Sequence, residues 1–156
     1  MKILTVIIPA YNVGEYLAQT LDSLVIPSIN DKLEILIVDD GSVDDTRTIA
    51  CKYCQKYPES MVYIYKQNGG HGSTINTGVK RATGKYLKIL DGDDWVHKSA
   101  LEALVHFLED CSTDVVLTGY ETWNMETGKT CLYTHSDVLF EKVYSVEKQP
   151  IMNRCV

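Results

Sequence analysis

The feature that most constrains this chain is a change of character that recurs along it. An apolar run rich in β-branched residues gives way to a polar or glycine-containing segment, and a helical periodicity follows. The apolar runs fall at residues 3–8, 33–38, 62–65 and 85–90. Continuous apolar runs of this kind suit strands covered on both faces. Leu17, Leu21 and Leu24 follow the first run at helical spacing, and Ile49, Ala50, Tyr53, Cys54 and Tyr57 follow the second. Ile75, Val79 and Ala82 follow the third, and Leu101, Leu104, Val105 and Leu108 the fourth. Strands alternating with helices predict an α/β fold built on an open, mostly parallel, Rossmann-like sheet with right-handed crossovers.

Local signals place the boundaries. Asn12 with Glu15, and Ser99 with Glu102, have the spacing of capping boxes for the first and last helices. Pro27 stops the first helical pattern, and Gly84 is expected to end the third. A short fifth strand is expected at 115–117. Beyond Gly119 the rhythm changes to Tyr, Thr and Trp around Glu126, Thr127, Gly128 and Lys129, which predicts a C-terminal hairpin. Residues 137–156 contain no complete element and read as an incomplete or loosely ordered tail. At 156 residues, the whole reads as a single domain.

Sheets of this type bind ligands at the carboxyl ends of their strands. Four segments are therefore expected on one edge: residues 9–12, 39–42, 68–72 and 91–94. In the last, Asp91, Asp93 and Asp94 stand within four residues of one another, directly after a strand. Taken alone, such a triplet reads as an exposed acidic turn before a helix. Set beside the other three segments it reads as a cation site, because carboxylates this close repel unless a cation or hydrogen bonds relieve them. Hard oxygen ligands suit magnesium or manganese, with diphosphate oxygens and water completing the shell, while Gly92 lets the backbone approach closely. Asp39 and Asp40 suit a nucleobase and ribose, or equally a turn; Tyr11 suits base stacking, or equally packing on the sheet. His71 reads as a structural loop histidine, with a substrate contact left open.

Other classes are disfavoured. The formal charge of −6 opposes broad binding to nucleic acid. Neither GxGxxG after the first strand nor GxxxxGK[ST] occurs. The first apolar run is broken by Thr5, closed by Pro9 and too short for a membrane span or signal-peptide core. Five irregularly spaced cysteines do not form a secreted disulfide framework and fit a reducing cytosol. Cys51 and Cys54 make a lone CxxC that reads as helix packing.

Read together, Val6 to Asn12, Glu34 to Ser42, Asn76-Thr77-Gly78 with Ala82 to Tyr86, and Leu90 to Trp95 resemble the family 2 glycosyltransferases of the GT-A fold. The resemblance covers about the first 110 residues. It implies metal-dependent, inverting transfer of a sugar from a nucleoside diphosphate sugar, uridine-based, to a saccharide or lipid-linked acceptor in bacterial surface polysaccharide synthesis. It also implies a cytoplasmic enzyme, membrane-associated at full length. Pro9, Ala10, Tyr11 and Asn12, with Asp39 and Asp40, would line the nucleoside pocket, and Asn76 would add a substrate contact. Asp91, Gly92 and Asp93 would form the DxD motif that seats the diphosphate, with Asp91 and Asp93 as metal ligands and Asp93 the first choice for direct ligation.

Two departures stand out. Ile75 occupies the place where many members carry an Arg before Asn76. The family's general base belongs to a downstream motif that Glu141 and Glu147 do not match, so the chain is expected to be the donor-binding part of a longer enzyme. One alternative is a nucleotide-sugar binding module without catalysis. Another is a phosphatase with Asp91 as nucleophile, for which Trp95 stands where that DxDx[TV] motif needs Thr or Val.

Overall fold

The computed structural model describes residues 1–124 and 126–134. Among these the order is β1 (Leu4–Ala10), α1 (Gly14–Leu24), β2 (Leu33–Asp39), α2 (Thr46–Lys56), β3 (Met61–Tyr65), α3 (His71–Arg81), β4 (Tyr86–Ile89), α4 (Lys98–Asp110), β5 (Tyr120–Trp123) and β6 (Thr130–Tyr133), with a 3-10 turn at Pro27–Ile29. The chain divides into two compact units, Met1–Cys111 and a second beginning at Ser112.

In the first unit, β3, β2, β1 and β4 lie side by side in that order, all parallel. Every residue of β1 is buried, and every residue of β2 except Glu34. These are the two inner strands, which explains why their sequences read as unbroken apolar runs. The outer strands β3 and β4 carry exposed positions.

β1 continues through Pro9 and Ala10, two residues beyond its expected end. Alternate residues of a parallel strand direct their backbone groups to alternate neighbours. The Ile7 carbonyl accepts from Leu90 N–H at 3.0 Å and the Ala10 carbonyl from Asp40 N–H at 2.9 Å. Pro9 therefore faces the β4 side, where pairing has already ended at Ile7 with Ile89. No ladder hydrogen bond is asked of the proline there.

Ile7, Leu36, Val38 and Ile64 form a buried cluster on one face of the sheet, with Ala82 packed against it. α3 lies over this face, but its buried residues are Thr74 and Gly78, and Val79 is 49% exposed. The expected stripe of Ile75 and Val79 is thus rotated. A Cβ at Gly78 would lie 2.5 Å from Ile7 Cγ2, so the helix approaches the sheet by its lack of a side chain. α3 also stops at Arg81, before Gly84, whose N–H donates to Thr5 Oγ1 at 2.9 Å.

α1 and α2 pack on each other, and α2 on β2 and β3. In α4, Leu101, Val105 and Leu108 are buried as their spacing predicts. Neither capping box forms. Asn12 lies in the left-handed region at φ 53°, and the amides at the start of α1 are capped from the β2–α2 loop and the first residue of α2: Val13 N–H donates to Thr46 Oγ1 at 3.0 Å and Gly14 N–H to Asp44 Oδ2 at 2.8 Å. Ser99 lies inside α4, and Glu102 instead accepts from Ser28 Oγ.

In the second unit, no strand forms at 115–117, where Val115 and Leu117 are exposed and have no paired neighbour strand among the described residues. A run so short forms no ladder by itself. The hairpin does form: β5 and β6 pair antiparallel, with Tyr120 stacked on Tyr133 at 4.9 Å between ring centroids. Residues 137–156, with Glu141 and Glu147, lie outside the described residues. Burial first, and then neighbouring Cys51, push the Cys54 thiol up to about 11, which suits packing rather than thiolate chemistry. Among the described residues no helix is long and apolar enough to cross a membrane.

Candidate functional site

The carboxyl ends of β1, β2 and β4 and the loop after β3 meet at one edge of the sheet. At β4 the chain enters a turn in which Asp94 N–H donates to the Asp91 carbonyl at 3.0 Å. The acidic triplet thus lies in a turn, and that turn is itself built into the core. Gly92 is buried, and its carbonyl accepts from Thr20 Oγ1 on α1 at 2.9 Å. A Cβ there would sit 2.9 Å from Val13 Cγ2 and 3.2 Å from the Pro9 carbonyl oxygen. Ser23, also on α1, accepts from Val96 N–H at 3.2 Å. With Gly92 buried, Asp91 and Asp93 are turned outward and exposed. Asp94 is held above the ordinary aspartate range, first by partial burial and then by the charges of Asp93 and Asp91.

At β2 the two aspartates are buried and already engaged. Asp39 Oδ1 accepts from Ser42 N–H at 2.8 Å and Oδ2 from the Tyr63 hydroxyl at 2.5 Å. Burial, and then the hydrogen bond and charge of Asp39, raise the Tyr63 hydroxyl well above its ordinary value. Asp40 accepts from Lys66 Nζ and from the amides of Gly69 and Gly70, the last two at 2.9 and 2.7 Å. Burial acts to raise Asp40, but the bonds from Lys66 and the two amides outweigh it, so its carboxyl lies below the ordinary range. Gly70 has φ 83°, a conformation glycine adopts without strain, and this lets its amide turn back to Asp40.

At β1, Pro9 and Ala10 are buried within the strand, while Tyr11 is 53% exposed at its end. Asn12 clasps the loop after β2 from both sides: its N–H donates to Ser42 Oγ and its Oδ1 accepts from Val43 N–H, each at 2.9 Å. After β3, His71 is the first residue of α3 rather than part of the loop, and its Nε2 lies 2.9 Å from Asp91 Oδ1. Asn76 lies further along α3 and is exposed.

The structure thus brings Tyr11, Asn12, Asp39, Asp40, Asp91 and Asp93 to one edge, leaves Pro9 and Ala10 beneath it, and sets Asn76 on the helix behind. Lys66, Thr20 and Ser23 are site-building residues that the sequence reading did not single out. The two hydroxyls interrupting the leucine stripe of α1 were the available signal. Among the described residues no three His, Cys, Asp or Glu side chains are arranged to hold a metal by themselves. Asp91 and Asp93 are two exposed carboxylates, hard oxygen donors of the kind that suit a divalent cation keeping water or phosphate in its remaining positions.

The sequence profile of Glycosyl transferase family 2 matches residues 5–155. The glycosyltransferase GlyA of Streptococcus pneumoniae is 33% identical over 141 residues, 90% of this chain and 20% of that protein. The minor teichoic acid biosynthesis protein GgaB of Bacillus subtilis is 32% identical over 97% of this chain and 17% of that protein. Among solved structures, S. aureus TarS 1-349 in complex with UDP-GlcNAc superposes with a TM-score of 0.61 at 32% identity, covering 70% of this chain and 32% of that one. The mannosyltransferase PcManGT from Pyrobaculum calidifontis, in complex with GDP-Man and Mn2+, gives a TM-score of 0.61 at 29% identity, covering 69% and 32%. The chain spans about a fifth of these two curated relatives and about a third of the two solved structures. With the profile running almost from end to end and the parallel sheet shared with GT-A neighbours, the chain belongs to glycosyl transferase family 2.

Proposed function

We propose that this chain is the donor-binding part of a metal-dependent, inverting glycosyltransferase. It uses a nucleoside diphosphate sugar, UDP-based, and acts on a saccharide or lipid-linked acceptor in bacterial surface polysaccharide synthesis. One observation carries the reading: the Asp91–Asp94 turn is anchored from below through Gly92, so that Asp91 and Asp93 stand outward beside the ends of β1 and β2. The nucleotide sugars bound by TarS and PcManGT, and the teichoic acid biosynthesis in the name of GgaB, support the substrate class.

In this reading Tyr11 offers its exposed ring to the base. Asp39 and Asp40 accept from base and ribose through lone pairs left over from their internal bonds, since a carboxylate has about four acceptor sites. Asn12 keeps the loop carrying them in place. Asp91 and Asp93, with Asp93 in direct contact, would hold magnesium or manganese. Such a cation supplies positive charge against the departing nucleoside diphosphate as the acceptor hydroxyl bonds to the sugar. In this reading the acceptor proton is taken by a base other than the residues named here.

Titration calorimetry with UDP and GDP, with and without manganese, tests the reading. We expect UDP to bind more tightly than GDP, to bind more tightly with manganese than without it, and to lose at least about tenfold of its manganese-dependent affinity in Asp93→Ala, which removes a charged ligand. Binding that ignores manganese and survives Asp93→Ala would overturn it.

A further inference from the structure

We infer that His71 is a positioning residue for the proposed metal and diphosphate seat: it holds Asp91 in the orientation that leaves the other carboxylate oxygen free for a ligand. The inference rests on the reading of Asp91 and Asp93 given above. Nε2 of His71 lies 2.9 Å from Asp91 Oδ1. A carboxylate oxygen accepts, so Nε2 carries the hydrogen of this bond.

The histidine has a fixed base to act from. The buried Asp40 at the end of β2 grips Gly69 and Gly70, the two residues before it. The buried Thr74 donates from Oγ1 to the His71 carbonyl at 2.5 Å, and Ser73 N–H donates to the Gly70 carbonyl at 2.9 Å. These bonds fix the backbone of His71; its ring and the Asp91 carboxylate are both exposed, 61% and 53%, and meet each other at the surface. β2 and β4 are separated in the sheet by β1. His71 therefore carries the rigid end of β2 across the end of β1 to a carboxylate on β4. It is placed to orient Asp91 rather than to serve as a third ligand, since no three His, Cys, Asp or Glu side chains among the described residues are arranged to hold a metal.

The test is a mutant cycle on the whole chain, read by calorimetry with UDP in the presence and absence of manganese. His71→Ala is expected to weaken the manganese-dependent binding about fivefold, the scale of one exposed hydrogen bond to a charged group, with metal-free binding unchanged. His71→Gln, whose amide nitrogen reaches about where Nε2 lies, should recover most of the loss. In an Asp91→Ala background the effect of His71→Ala should vanish. An unchanged affinity in His71→Ala overturns the inference, and so does a loss that persists without Asp91. Loss of metal-free binding identifies His71 as a direct ligand contact and overturns it as well. Failure of the underlying reading looks different: the unmodified chain then shows no manganese dependence at all.

Discussion

Gly92→Ala is the sharpest probe of how the acidic turn is seated. The backbone at Gly92 is not left-handed, so alanine can adopt it and the cost is one of space. The new Cβ would meet Val13 Cγ2 at 2.9 Å, the Pro9 carbonyl oxygen at 3.2 Å and Val13 Cβ at 3.4 Å. Overpacking of this kind costs about 1–3 kcal/mol, and replacing glycine stabilises by about 0.4–1 kcal/mol through the unfolded chain. The net loss should lie between about 0 and 2.6 kcal/mol, centred on about 1.3, read by urea unfolding followed by circular dichroism. The turn is also displaced, so manganese-dependent UDP affinity should fall. Val13→Ala removes the tightest of the three contacts and leaves the Pro9 carbonyl oxygen, at 3.2 Å, as the remaining close one. Val13→Ala with Gly92→Ala should therefore be more stable than the sum of the two single changes by about 1 kcal/mol. Strict additivity, or Gly92→Ala matching the unsubstituted chain in both stability and affinity, would refute the close approach.

Two further perturbations test the frame beneath the site. Asp40→Asn should cost about 2 kcal/mol at neutral pH, because Lys66 loses its buried partner. Asp40 has a depressed folded-state pKa, so its contribution is fully present above the ordinary aspartate value of 3.8 and is lost as pH falls through the lower folded value. The gap between the two proteins should accordingly close only in acid below that value, and a gap that closes near neutrality would contradict the assignment. At Asn12, alanine should be worse than glycine by about 1 kcal/mol, since both lose the Val43 bond but only alanine is strained at φ 53°. Equal stability in thermal melts would count against that strain.

The inner strands were legible because burial on both faces leaves no alternation to misread, and the hairpin because its turn residues are local. What was misread depends on groups far apart in sequence. The cap of α1 comes from Thr46 and Asp44, and no pattern around Asn12 announces that. The buried face of α3 is marked by Gly78, a residue whose contribution is an absence, while the more obvious Val79 faces outward. His71 looked like loop because the three glycines around it hide the start of a helix. The place of the acidic triplet at a strand end was legible, but its anchor on Thr20 was not, since a hydroxyl inside a leucine stripe has no local reason to be there.

The pairing of β1 also orders events during synthesis. Its first partner, β2, emerges soon after it, but Leu4 pairs with Tyr86 on its other side only when roughly eighty more residues have been made, about 4–16 s at ordinary ribosomal rates. Until then one edge of the most apolar strand has no neighbour. The strand that closes that edge ends in the acidic turn, so the nascent chain gains its outward carboxylates in the same step in which it completes its sheet.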